Sequence, residues 1–173
     1  MIVLSQFFLF LLYMSGTLAV RPQSNLHDFC YLYESDQYKY AVICIDCKHF
    51  TKVKLKNNPS GYDRTYTHIV QILHQALDIA RNRYDTEGYI VYVDMKYVNL
   101  KQFDRVFVRT LIRILETTFQ DTLKYCIIKN APNLFKIIYK LIYPWIDKVT
   151  RQKFMFEKKG KIKKINIEDF MID

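Results

Sequence analysis

Five consecutive apolar residues, Tyr89-Ile90-Val91-Tyr92-Val93, stand between two stretches whose apolar residues recur at helical spacing. A run of this kind has no polar face to turn to water, so it reads as a strand covered on both sides, of the sort found inside a parallel sheet. The stretches on either side supply covering helices. From about Tyr62 to Tyr84, the residues Ile69, Ile72, Leu73, Ala76, Leu77 and Ala80 fall on one helix face, and Gly88 ends the connection to the strand. Beyond the strand, Asn99 is a candidate cap for a second helix, in which Phe103, Val106, Phe107, Thr110, Leu111, Ile114, Leu115 and Thr118 form one stripe.

The alternation extends in both directions. Tyr40 to Ile45 is a short apolar run rich in β-branched residues, followed by the turn-rich Lys56-Asn57-Asn58-Pro59-Ser60-Gly61. Tyr125 to Ile128 is a third strand, ended by Asn130-Ala131-Pro132, and a third helix runs from Asn133 to about Tyr143, where Pro144 breaks or kinks it. Gln152 to Phe156 is a fourth strand. Strands and helices in strict alternation predict an α/β fold, a mostly parallel β-sheet flanked by helices with right-handed crossovers. At 173 residues the chain suits one domain, and four Gly and four Pro exclude a collagen-like or low-complexity architecture.

The net charge of +9 invites a nucleic-acid reading, but its placement argues otherwise. Between Arg151 and Lys164 lie seven basic residues and one acidic one, so a single short stretch holds most of the excess. Beside an apolar body, such a stretch suits an anionic lipid surface at least as well as DNA or RNA, and it also reads as a solvated strand end and tail. Residues 1–20 carry no charged side chain and end in Thr17-Leu18-Ala19, placed as for signal-peptidase cleavage, although the first cation, Arg21, follows the apolar stretch. This leader reads as a signal peptide, as a retained membrane anchor, since about 18 apolar residues span a bilayer, or as a helix packed on the domain. The corresponding locations are the secretory pathway or a membrane, and the cytoplasm if the leader is no signal.

Catalytic signatures are missing. There is no Gly-rich phosphate loop, no Gly-x-Ser-x-Gly elbow and no His-Glu-x-x-His. His68 and His74 lie six apart on the first helix and share no face, which disfavours a metal site. Cys44 and Cys47 point to opposite sides of a strand and read, with Cys30 and Cys126, as buried free thiols. Asp94 and Lys96 end a parallel strand, where α/β proteins place functional groups, although an aspartate there also serves simply to turn the chain. The third helix is the most informative element. Leu134, Phe135, Ile137, Ile138, Leu141 and Ile142, with Trp145 and Ile146 beyond, are too many apolar residues for one buried face. The surplus faces a second core layer, an apolar ligand cavity or a membrane.

Several motifs together bring a family into view. Asp94-Met95-Lys96 after the apolar strand, Asp121, Tyr125-Cys126-Ile127-Ile128-Lys129-Asn130-Ala131-Pro132, and Lys140-Leu141-Ile142-Tyr143-Pro144-Trp145-Ile146-Asp147-Lys148-Val149-Thr150 with Lys153-Phe154 occur in order. Over Tyr38 to Phe156 this resembles the CRAL-TRIO lipid-binding domain, which reads Asp-Leu-Lys-Gly, Tyr-Pro-Glu-Arg, Ile-Asn-Ala-Pro and Lys-Pro-Phe-Leu-Asp-Pro-x-Thr at these places. The resemblance divides the chain into the leader 1–20, a polar lead-in 21–37 and a lipid-binding domain 38–173. It implies an α/β sheet flooring a hydrophobic pocket, closed by a gate helix from Asn133 to Trp145.

Members bind or transfer phospholipids, tocopherol or retinoids, so the implied function is non-enzymatic binding or transfer of a phospholipid or similar lipid, with no cofactor, metal or nucleic acid. Ligand contacts are expected from Phe135, Ile138, Ile142 and Trp145 of the gate, Tyr89 and Val91 of the strand, Phe107 and Leu111 of the second helix, Asp121, and a cation among Lys158, Lys159 and Lys161. Tyr97 replaces the family's Gly, Gln120-Asp121 its Pro-Glu pair, and Lys148 its second Pro. Tyr89 and Val91 stand where inositol-lipid binders carry small hydroxyl residues, which implies little headgroup selectivity. With the apolar leader where the family's helical module normally precedes the domain, the resemblance implies a pared-down member. The alternative is a module that kept the fold, lost the pocket and serves as an interaction or membrane-tethered scaffold.

Overall fold

The structure, a computed structural model, describes residues 24–33, 40–50, 60–98, 103–133, 135–158 and 161–164. The leader 1–20 lies outside the described residues, and among those described no helix is long and apolar enough to cross a membrane. The elements run α1 (Ser24–Phe29), β1 (Cys30–Tyr33), β2 (Ala41–Asp46), a 3₁₀ turn (Cys47–His49), α2 (Gly61–Tyr84), β3 (Tyr89–Asp94), α3 (Arg105–Thr118), β4 (Leu123–Lys129), α4 (Phe135–Ile142), a second 3₁₀ turn (Tyr143–Trp145), α5 (Lys148–Arg151), β5 (Phe154–Lys158) and β6 (Lys161–Lys164).

The strands form one six-stranded sheet in chain order, β1-β2-β3-β4-β5-β6. β2 through β5 pair in parallel, and the outer strands β1 and β6 pair antiparallel. Sequential order with right-handed crossovers sends every connecting helix to the same side of the sheet. The packing agrees. Ile43 of β2 and Tyr89 of β3 share a core with Ile69, Leu73, Ala76 and Ala80 of α2, and with Phe107 of α3. Cys126 and Ile128 of β4 share another with Phe135, Ile138 and Tyr139 of α4. The alternate residues Val42, Ile90 and Ile127 point to the opposite face, where they pack with Tyr40, Cys44, Tyr92 and Met155.

Sequence and structure differ at the edges. The lead-in 21–37 holds α1 and the edge strand β1, whose four residues are too few to signal a strand until paired with β2. The short β6, charged at three of four positions, was likewise invisible to hydropathy. The second helix begins at Arg105, capped by Asp104 and not by Asn99: the Asp104 carboxylate accepts the N–H groups of Val106 and Phe107. The third helix ends at Ile142, where Pro144 is accommodated by a 3₁₀ turn. At the start of β3, Gly88 is sterically required, since a Cβ there would lie 2.5 Å from the Thr122 carbonyl oxygen.

Candidate functional site

Between the sheet and its helices lies a cavity of about 840 Å³. Its floor is made by the helix-side residues of the strands, Tyr89, Val91 and Val93 of β3, Leu123, Cys126 and Ile128 of β4, and Phe154 of β5. The period of two along β3 and from Cys126 to Ile128 selects these residues and sends Ile90, Tyr92 and Ile127 away, and a register irregularity where β4 passes Tyr89 and Ile90 accounts for the three-residue step from Leu123 to Cys126. One wall is α3, through Phe107, Val108, Leu111, Ile112 and Leu115, and another is α4, through Phe135, Ile138 and Ile142.

The two longest helices use their apolar stripes differently. In α2 nine residues are buried, as expected of a helix packed on a sheet. In α3 only Phe107 is buried, although its apolar stripe is just as continuous. Val108, Leu111 and Leu115 reach the core from half-buried positions and, with Ile112, border open volume as well.

Polar groups are confined to a few places. Asp104 is buried, but its carboxylate is occupied by the α3 cap and by the Tyr62 hydroxyl, which donates at 2.6 Å. That hydrogen bond, followed by burial, pushes the Tyr62 phenol up to about 12. Tyr89 is raised by burial, while its side-chain hydrogen bond with Thr122 works the other way. Two thiols line the cavity, Cys47 and Cys126, and burial pushes each up to about 12, so both are neutral and apolar in character.

The exposed lining residues are Glu116, Gln120, Asp121, Asp147 and Val149, which mark the mouth between the end of α3 and α5. Half-buried Thr150 and Lys153 lie on the cavity as well. Asp147 caps α5 by accepting the N–H groups of Val149 and Thr150 at 2.8 and 3.0 Å. Desolvation raises this carboxyl, but the Thr150 hydroxyl, those two N–H groups and the Lys153 charge outweigh it and hold it below its ordinary value. An apolar interior with polar groups gathered at one mouth suits an amphiphile whose tail is buried and whose head meets water.

Of the residues expected from sequence, Phe135, Ile138, Ile142, Tyr89, Val91, Phe107, Leu111 and Asp121 line this one cavity. Trp145 does not line it. The α4 helix has ended before it, and the 3₁₀ turn sets its ring beneath the guanidinium groups of Arg105 and Arg109, at 5.4 and 5.8 Å. The side chains of Lys158, Lys159 and Lys161 lie outside the described residues. The sequence reading overlooked Thr150 and Lys153, although Asp147, Thr150 and Lys153 follow one another at intervals of three, a spacing that sets them around one short helical turn. Asp94 turns the chain at the end of β3, accepting from the Lys96 N–H at 2.8 Å and from Asn130 Nδ2 at 2.9 Å.

Comparison with known proteins gives a consistent picture. The family model for the CRAL/TRIO domain matches residues 25–171. The protein named Protein real-time from Aedes aegypti is 30% identical over 72 residues, covering 40% of this chain and 11% of that protein. A CRAL-TRIO domain-containing protein of Caenorhabditis elegans is 32% identical over 66 residues, 36% of this chain and 9% of that one. The crystal structure of Sfh5 superposes with a TM-score of 0.67 at 20% identity, over 80% of this chain and 52% of that chain. The chain thus matches about a tenth of the length of these sequence relatives and about half of the solved chain.

Proposed function

Because the chain belongs to the CRAL/TRIO domain family, a family of lipid-binding and lipid-transfer domains, we propose that it holds a phospholipid or similar lipid in the cavity under α4 and exchanges it by movement of that helix, without catalysis. The observation that carries this reading is the cavity itself, walled by the inner face of α4 and by an α3 stripe of which only Phe107 is fully buried. Affinity follows from burial: each CH₂ removed from water contributes about 0.8 kcal/mol, so an acyl chain binds well without any reactive group. A scaffold that had lost its pocket would have no reason to keep this volume open, since unfilled apolar space costs stability.

The headgroup belongs at the mouth, where Asp121 supplies an acceptor, Thr150 a hydroxyl and Lys153 a cation for phosphate. Val91 has no hydroxyl, and that of Tyr89 is bonded to Thr122. Selection for inositol over choline is therefore weak, resting on the mouth alone. The basic stretch from Arg151 to Lys164 gives the domain an attraction for anionic membranes, where exchange takes place.

The test is transfer of a fluorescent phospholipid between vesicles. Ile142→Glu puts a carboxylate into the apolar wall from a half-buried position, so it should abolish transfer while leaving the melting temperature within a few degrees. Lys153→Ala should slow phospholipid transfer several-fold. Undiminished transfer by Ile142→Glu would remove the cavity from the account.

A further inference from the structure

The α4 wall is held by contacts of two kinds. Against the sheet it packs through rings, Phe135 on Phe156 at 5.0 Å and Tyr139 on Phe154 at 5.9 Å. Apolar packing is non-directional, so it draws the helix inward without fixing its tilt. The end of the helix is held differently. After Ile142 the chain turns through Tyr143–Trp145, where Pro144 has no N–H to give, and the last carbonyls of a helix take their donors from elsewhere.

Arg151 supplies such donors. Its Nε donates to the Ile146 carbonyl at 2.7 Å and its Nη2 to the Tyr143 carbonyl at 2.9 Å, while the guanidinium carbon lies 3.6 Å from the centre of the Tyr143 ring. One planar group thus grips two carbonyls three residues apart and stacks on a ring of the same turn. Hydrogen bonds from a charged donor are stronger than neutral ones. No carboxylate pairs with Arg151 among the described residues, so its charge is committed to this turn.

The grip is anchored to the sheet. Arg151 closes α5, whose start is capped by Asp147, and its own N–H donates to the Asp147 carbonyl at 3.0 Å. Two residues on, the Lys153 carbonyl accepts the Cys126 N–H of β4 at 2.9 Å, and β5 begins at Phe154. Arg151 is half-buried and does not line the cavity, so it acts on a ligand only through α4.

We infer that Arg151 is a positioning residue for ligand exchange: it latches the turn Tyr143 to Ile146 onto α5 and thereby sets how readily Phe135, Ile138 and Ile142 leave the cavity. The inference rests on the lipid-cavity reading for its consequence and on the forked, stacked guanidinium for its site. The geometry calls for arginine, since lysine would keep the charge and one hydrogen bond but lose the fork and the planar face. A latch that holds the wall alike in the empty and the loaded protein has no preference between those states. Its removal should therefore speed entry and exit together and leave the affinity where it was.

The test uses the full chain. Loaded with a fluorescent phosphatidylcholine, it is mixed rapidly with excess unlabelled vesicles to read release, and the lipid-free chain is mixed with labelled vesicles to read uptake. Arg151→Met, which keeps the aliphatic stem, should release and take up the lipid about tenfold faster, with a dissociation constant within about twofold of the parent's. Arg151→Lys should fall between the two. Unchanged release by Arg151→Met, faster release matched by weaker binding with no gain in uptake, or fully parental rates in Arg151→Lys would each overturn the proposal. Amide hydrogen exchange in the lipid-free protein reads the latch without a ligand. In Arg151→Met, α4 and Ile146 should exchange faster while β2, β3 and β4 keep their protection, which also shows that the variant is folded. That result in a chain that takes up no lipid would uphold the latch and remove the cavity reading. Lipid uptake with unaltered exchange along α4 in Arg151→Met would do the reverse.

Discussion

At the scale of single residues, the backbone supplies the sharpest expectations. Tyr97 has φ of 68°, in the left-handed region where the family motif carries Gly, and a side chain costs about 1 kcal/mol there. The Lys96 ammonium, 5.0 Å from the Tyr97 ring, offsets part of that cost. Tyr97→Gly is therefore expected to raise stability by up to about 1 kcal/mol in urea unfolding, and a loss of stability would show that the ring does more than the backbone suggests. Asp104 is the opposite case. Its one carboxylate serves two backbone N–H groups and the Tyr62 hydroxyl, so Asp104→Ala should cost about 1 to 2 kcal/mol. An unchanged unfolding midpoint would contradict the cap. The motif residues around Asp94 were legible in the sequence because they form a local pattern, whereas Asp104 as the cap was not: Asn99 is an equally good capping type, and only the path of the chain decides between them.

Among the elements, α4 combines a cavity wall with an internal flaw. Tyr139 is buried on it among Phe135, Tyr143 and Phe154, and its hydroxyl finds no partner among the described residues. An orphaned buried hydroxyl costs about 1 to 3 kcal/mol, which weighs against the packing of α4 on the sheet. Tyr139→Phe should thus stabilise the protein by about 1 kcal/mol and slow lipid release, read as the off-rate of a fluorescent lipid. Faster release would mean that the hydroxyl is satisfied when α4 is in place. The central strands and the three crossover helices were legible because long apolar runs and 3.6-residue stripes do not depend on partners. The edge strands β1 and β6 were not, since pairing and not hydrophobicity makes them strands. Helical periodicity shows that α3 has an apolar face; it is blind to whether that face meets core or cavity, which is why the contrast with α2 emerges only in three dimensions.

For the molecule as a whole, four cysteines are free, with Cys30 and Cys126 buried and Cys44 and Cys47 half-buried. Burial pushes Cys30, Cys47 and Cys126 up to about 12 and Cys44 to about 11, from an ordinary value of 9.0. In the unfolded chain these thiols lose their protons near 9.0, while the folded chain keeps them, so folding favours the protonated form. Stability from this source is complete below pH 9 and declines as pH rises toward 12, and urea midpoints should fall across that window. A flat profile to pH 11 would show the thiols to be better solvated than their positions indicate. The wider claim is that one face of a parallel sheet has been opened, between α3 and α4, to accommodate a lipid. Gentle purification followed by native mass spectrometry, with organic extraction and lipid analysis of the same sample, addresses it directly. The account predicts a non-covalent adduct of lipid mass at a stoichiometry near one, absent from Ile142→Glu. A folded parent protein that carries no lipid, and takes none up from vesicles, would contradict it.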